Sequence, residues 1–366
     1  MKTVAVSTWV GDITLNYGSA LQTTAMQKLL RDCGVKPITI RHHFSSSKFR
    51  DLMRGFTDRE DFRWLKTKRK FAKWFRKNTN LSKVCYNDED VVRCVSGRCQ
   101  ILLCGSDAIW KDLWIRPLFL WDYEKLSDLP AIAYGASIQT RDFTYPDVEK
   151  CLKKFVAISG RESIVAEKVE PYTELKVDTV LDPTLAVEES FWEERATKRL
   201  IEEDYVVCYF LSKMEYNRIS VEKIKKKYDA KRVVYINTNC IDRAMGCYSD
   251  YRGEDYKKAV GIEEFLSLIK YAKAVCTDSG HGVCFSVVFR RDFFVFARKE
   301  DFDIENDYRL MDWFRRLGTG NRIVLKNSQI DSFESVDWEN VEKKLFAERK
   351  HSQSFLENAI ETAKRK

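Results

Sequence analysis

No stretch of this sequence keeps its apolar character for the roughly 20 residues that a membrane-spanning helix needs, and the longest runs, such as Val206–Leu211, fall far short. Met1–Val6 starts in the manner of a signal peptide, but the apolar stretch stops at Asp12 and no small-residue cleavage site follows, so it is read as a first β-strand. Glycine and proline are scarce, 15 and 6 of 366 residues, and with 44% hydrophobic and 32% charged residues this rules out collagenous, low-complexity and disordered classes. The dinucleotide fingerprint G-x-G-x-x-G is missing, and so is the Walker-A pattern, which speaks against nicotinamide and nucleoside-triphosphate binding. Cysteine pairs with two-residue spacing are missing too. Cys85, Cys94, Cys99 and Cys104 fall close together, yet no pair of them lets a single turn hold a metal, and no metal site is assigned. The 11 cysteines are an odd number scattered in apolar contexts such as Leu103-Cys104 and Val275-Cys276, the pattern of buried, reduced thiols in the cytoplasm.

What is present begins with length. A chain of 366 residues exceeds the usual single core and favours two domains. Short runs that are apolar on both faces recur between helix-length amphipathic segments: Thr3–Ser7, Pro37–Arg41, Ile101–Cys104, Ala131–Tyr134, Val156–Ser159 and Thr179–Leu181, then Val206–Leu211, Arg232–Ile236, Ala274–Thr277 and Phe293–Phe296. With helices over Ser19–Arg31, Val221–Tyr228 and Ile262–Tyr271, this predicts parallel strands covered on both sides, an α/β architecture built twice. The polar segment Val187–Asp204 places the junction near 190, giving domains 1–190, with a basic helical insertion at 48–83, and 191–366, with a terminal helix.

Charge is uneven. The chain carries 63 Lys and Arg against 55 Asp and Glu, and Lys48–Lys83 alone holds 13 against 4, leaving 50 against 51 elsewhere. Phe49, Leu52, Met53 and Phe56 follow helical spacing, as do Trp64, Phe71 and Phe75, so the segment reads as two basic amphipathic helices. Three uses stand open: a solvated face whose apolar stripe packs on the first domain, peripheral contact with an anionic membrane, or nucleic-acid binding, for which no recognised motif accompanies the charge.

In such sheets ligands bind beyond the carboxyl ends of strands. The loop Trp9–Gln22 feeds a helix near Ser19, where free backbone N–H groups favour an anion and Gly18 permits close approach; Asn16 and Tyr17 precede it. Cys104–Trp110 sets the carboxylate of Asp107 at another strand end, and Tyr134–Ile138 does the same with the hydroxyl of Ser137. Arg161, in Ile158–Ser163, is placed to take a carboxylate or phosphate bidentately, or else to pair with a neighbouring helix. Only four histidines occur, and His281 alone sits at a strand-to-helix edge, after Asp278 and Ser279 and between two glycines that would leave its ring accessible for proton transfer or anion binding.

The ordered set Asn16–Gln22, Gly105–Trp110, Tyr134–Ser137, Ser159–Glu162, Leu181–Thr184 and Asp278–Gly282 resembles the polysaccharide pyruvyl transferase family over about residues 3–325. The resemblance implies two Rossmann-like domains facing a cleft, as in type-B glycosyltransferases. It also implies transfer of pyruvyl from phosphoenolpyruvate, the donor substrate, to hydroxyls of a sugar or lipid-linked oligosaccharide as a ketal, with no further cofactor. By the same resemblance Arg161 binds the donor and His281 serves catalysis or holds phosphate. Asn16, Tyr17, Gly18, Asp107, Ser137, Asp278 and Ser279 line the same site, with Arg309 of the helix Tyr308–Leu317 as a further cation. Two positions depart from the pattern. In the branch that includes characterised pyruvyl transferases an Arg often stands where this chain has Ser279, and many other relatives have Phe where it has Gly280. The first change removes a charge-assisted phosphate contact and leaves open a different transferase on the same fold, such as one using a nucleotide-sugar.

Overall fold

The apolar runs form two parallel sheets. The computed structural model of the chain describes residues 1–43, 62–111, 116–138, 143–211, 218–236, 260–297, 308–325 and 328–366, with backbone alone at 62–65 and 308–309. The first sheet contains β1 (Thr3–Ser7), β2 (Lys36–His42), β3 (Leu81–Cys85), β4 (Ile101–Cys104), β5 (Ala131–Ala136), β6 (Phe155–Gly160) and β7 (Val177–Thr179). They lie in the order β3-β2-β1-β4-β5-β6-β7, each neighbour parallel. The second contains β8 (Tyr205–Tyr209), β9 (Arg232–Ile236), β10 (Ala274–Thr277), β11 (Asp292–Phe296) and β12 (Ile323–Val324), in the order β12-β11-β10-β8-β9. Central strands such as β4, β5, β8 and β10 are buried along their whole length, which is why their sequences are apolar on both faces.

In each sheet the chain starts near the middle, moves outward, and crosses back. That reversal separates the loops after β1 and β4 in the first sheet and after β8 and β10 in the second, opening a crevice at the carboxyl ends. Among the described residues no helix is long and apolar enough to cross a membrane.

Three expectations change. The strand expected at Thr179–Leu181 forms two residues earlier, because Asp182 turns the chain by accepting from the Thr184 amide at 3.0 Å and capping the helix Pro183–Ala186. The edge strands β3 and β12 were not anticipated. The terminal helix Trp338–Arg365 does not belong wholly to the second half. Val341 and Leu345 join that half's core, but Leu356, Ala359, Ile360 and Ala363 are buried with Val4, Val6, Ile132 and Tyr134 of the first sheet. A 28-residue helix is about 42 Å long, enough to bridge both sheets.

Of the two basic helices, the second forms over Phe62–Asn78, while the first, around Phe49–Phe56, lies outside the described residues, as does the side chain of Trp64. Phe71, Trp74 and Phe75 are buried in a core that runs across the junction of the two halves, so the apolar stripe packs inward.

Candidate active site

Two helix starts meet at the junction. The helix Tyr17–Asp32 follows the β1 loop and is capped by Asn16, whose side chain accepts from the Ser19 amide at 3.1 Å. The helix Gly280–Val288 follows β10 and carries His281 in its first turn. The imidazole rests directly on Gly18: a Cβ there would stand 2.2 Å from His281 Nδ1. Gly282 has a different task, since a Cβ would stand 2.2 Å from Thr277 Oγ1 and push the helix off its strand. The flanking glycines therefore do not free the ring. Its side chain is 12% exposed, held between Gly18 and the carboxylate of Asp182, 3.8 Å from Nε2.

Asp182 belongs to a buried cluster built from four strand ends of the first sheet. Arg161, just after β6, donates from Nη1 to Asp182 Oδ2 at 2.8 Å, from Nε to Glu162 Oε1 at 3.1 Å, and from Nη2 to Asp107 Oδ1 at 3.5 Å. Asp182 Oδ1 also accepts from the amide and hydroxyl of Thr184 at 3.0 and 2.7 Å. Ser137 Oγ donates to Glu162 at 2.7 Å, and Ser19 Oγ donates to Asp107 at 3.1 Å, tying the first helix to the cluster. The Trp313 ring lies 5.6 Å from the guanidinium, and its indole N–H donates to the Arg161 carbonyl at 3.1 Å.

Three carboxylates thus surround one guanidinium. Burial alone would lower the Arg161 pKa, but Glu162, Asp107 and Asp182 overcome it and hold the guanidinium protonated more firmly than usual. Burial would likewise raise the Asp182 carboxyl; His281, Arg161 and the two Thr184 bonds reverse the sign and hold it below the ordinary carboxylate range. The arrangement can keep a carboxylate ionised behind an imidazole and stabilise that ring when it carries a second proton.

The residues singled out in the sequence divide accordingly. His281, Gly18, Asp107 and Arg161 come together. Arg161, however, is only 2% exposed and its nitrogens serve carboxylates, so it is not the open cation expected for a donor anion. Tyr17 is buried. Its ring stacks on Phe265 at 4.8 Å, meets Phe71 and Tyr209, and its hydroxyl donates to the Val260 carbonyl at 2.9 Å, which makes it a rivet between the halves. Ser137 is fully buried and orients Glu162. Asn16 gives its side-chain oxygen to the helix cap. Asp278 is buried and accepts from the Leu211 amide at 2.6 Å, joining the loop ends of β8 and β10. Ser279 is buried beside it, its amide bonded to Thr277 Oγ1 at 3.0 Å. The Arg309 side chain lies outside the described residues.

Asp182 and Glu162 were missed as site residues. The signal for Asp182 was its place one residue before Pro183 and two before Thr184, the pattern of a carboxylate turned inward to cap a short helix.

The fold is that of an α/β protein with two Rossmann-like domains, each built on a parallel sheet. UDP-GlcNAc 2-epimerase from Neisseria meningitidis, solved with UDP-GlcNAc, superposes with a TM-score of 0.53 at 9% identity, covering 100% of both chains. The same enzyme from Methanocaldococcus jannaschii gives 0.49 at 13% identity over 94% of this chain and 92% of that one. The glycosyltransferase SnogD from Streptomyces nogalater gives 0.40 at 12% identity, over 99% and 98%. At these identities the likeness concerns the fold alone. No curated protein matches the chain in sequence. The model of the family described as polysaccharide pyruvyl transferase matches residues 16–300, from the Asn16 cap to beyond His281, and the chain belongs to that family.

Proposed function

We propose that this protein transfers the pyruvyl group of phosphoenolpyruvate to two hydroxyls of a sugar, free or lipid-linked, as a cyclic ketal during surface polysaccharide synthesis in the cytoplasm. The observation that carries the reading is His281, held at the junction of the two halves with Gly18 beneath it and Asp182 behind it.

In this chemistry a proton adds to the methylene carbon of the donor and cationic character develops at C2. One sugar hydroxyl adds there and loses its proton, the C2–O bond to phosphate breaks, and the second hydroxyl closes the ketal. The products are ketal and inorganic phosphate. His281 is suited to move one of these protons or, when charged, to receive the phosphate, with Asp182 stabilising the imidazolium in either role. Arg161 acts as a positioning residue that fixes Asp182 and Asp107. Donor anions are left to His281, the two helix starts and Arg309, with Asp107 toward the acceptor. Because Ser279 stands where an Arg often does, and because three carboxylates surround the only described guanidinium of the cluster, a nucleotide-sugar donor is the second reading.

Release of phosphate from phosphoenolpyruvate with a panel of soluble oligosaccharides tests the proposal. The wild type should release it, and His281→Ala should be slower by about 10²–10⁴-fold. Full activity in His281→Ala removes the histidine from the mechanism. Thermal stabilisation by nucleotide-sugars with none by phosphoenolpyruvate overturns the donor assignment.

A further inference from the structure

The positive excess of the chain resides in one helix. Phe62–Asn78 holds eight Lys and Arg and no Asp or Glu; with 63 basic and 55 acidic residues overall, the rest of the chain balances at 55 against 55. Helical periodicity sorts this helix into two faces. Thr67, Phe71, Trp74, Phe75 and Asn78 are buried, whereas Lys66, Lys68, Arg69, Lys73, Arg76 and Lys77 are exposed. The inner face is committed: the Phe71 ring lies 5.1 Å from that of Tyr17, Trp74 donates to Thr24 Oγ1 at 2.9 Å, and Lys70 is drawn aside to Glu264. Packing explains the apolar stripe. It does not explain five cations, Lys66, Arg69, Lys73, Arg76 and Lys77, gathered along about 16 Å of the outer face, where like charges repel.

We propose that this outer face docks the protein on an anionic phospholipid bilayer by charge alone. A bilayer presents a plane of negative charge, and a straight helix lying along it brings Lys66, Arg69, Lys73, Arg76 and Lys77, which share one side of the helix, to the surface together. Ala72 is the apolar residue among the exposed positions 66–77, so no large side chain is left there to insert. Contact is therefore reversible and strongly salt-dependent. A nucleic acid fits this face less well, since among the described side chains of the helix it exposes no aromatic ring for a base to stack on. The docking helix packs on Tyr17, whose neighbour Gly18 carries the His281 ring, so the bilayer would lie one helix away from the site. The benefit to a lipid-linked acceptor rests on the function proposed above, but the docking does not.

Co-sedimentation of the full chain with vesicles tests it, using phosphatidylcholine alone or with about a third phosphatidylglycerol, at about 0.1 and 0.5 M salt. Expected are binding to the anionic vesicles at low salt, release at high salt, and an affinity loss of roughly a hundredfold in Lys66→Gln/Lys73→Gln/Lys77→Gln, at about fivefold per cation. Turnover of the triple variant on a soluble acceptor should be unchanged. Absence of anionic-vesicle binding, equal binding to neutral vesicles, indifference to the triple substitution, or displacement from vesicles by stoichiometric duplex DNA each overturns the proposal. An enzyme that releases phosphate but ignores vesicles refutes docking alone, and one that binds vesicles without touching phosphoenolpyruvate refutes the chemistry alone.

Discussion

Replacing Arg161 by Met tests the cluster most directly, because it removes the charge and keeps much of the volume. Asp182, Glu162 and Asp107 would then face one another without their shared cation, two of them buried to 2% exposure or less. Breaking a buried ion pair from one side costs about 3–5 kcal/mol, a large part of the 5–15 kcal/mol that typically holds a domain folded. With an unfolding entropy of about 2.1 cal/mol/K per residue over 366 residues, 4 kcal/mol corresponds to a melting temperature lower by about 5 °C. The pH dependence carries a sign. The folded pKa of Asp182 lies below its unfolded value of about 3.9, so its stabilising contribution is complete above that value and is lost as pH falls through the folded pKa. In Arg161→Met the Asp182 carboxyl loses one of the groups that keep it ionised and takes up its proton at higher pH. The stability gap between wild type and variant should therefore be widest near pH 7 and narrow toward pH 4. Differential scanning calorimetry across this range reads both effects. A variant within about 1 kcal/mol of wild type at pH 7, or a gap that widens on acidification, would refute the role of the guanidinium as the shared counter-charge.

Gly18→Ala should displace the His281 ring, and a misplacement of about 1 Å at a reacting group costs about a hundredfold in kcat; unchanged turnover with an intact circular dichroism spectrum would argue against the ring's position mattering. Tyr17→Phe should lose about 1 kcal/mol with its bond to the Val260 carbonyl, while Tyr17→Ala should lose about 3–5 kcal/mol with the stack on Phe265, both read by urea denaturation; equal costs would mean the ring does not rivet the halves. Burial pushes the Cys85 and Cys104 thiols up to about 12, so iodoacetamide at pH 8 should leave both untouched in the native protein and modify both in urea, as mass spectrometry would show.

The central strands were legible because burial on both faces leaves an unbroken apolar run, as in Ile101–Cys104. The edge strand Leu81–Cys85 was not, since its half-exposed pattern mixes Ser82 and Lys83 with apolar residues. His281 stood out through its motif, whereas the partners of Arg161 come from strand ends 21 and 54 residues away, and nothing in their spacing says that Asp182 and Asp107 converge on it. Tyr17 reads as a loop residue beside Asn16, and only the arrival of Phe71 and Phe265 from distant helices turns it inward. Arg161 was correctly placed at a strand mouth, but a sequence cannot tell an open cation from one already surrounded.

The terminal helix sets the order in which the molecule can be made. Val4, Val6 and Tyr134 are synthesised early, together with Met26 and Leu30 of the first helix that pack on them, but Leu356 to Ala363, which complete that cluster, follow more than 200 residues after Tyr134. At about 5–20 residues per second the part of this face that the late helix covers waits for roughly 10–40 s after the strands of the sheet are complete. During that interval the nascent chain offers chaperones a parallel sheet with one face only partly covered. Removing the turns that carry Leu356 to Ala363 would make that transient exposure permanent.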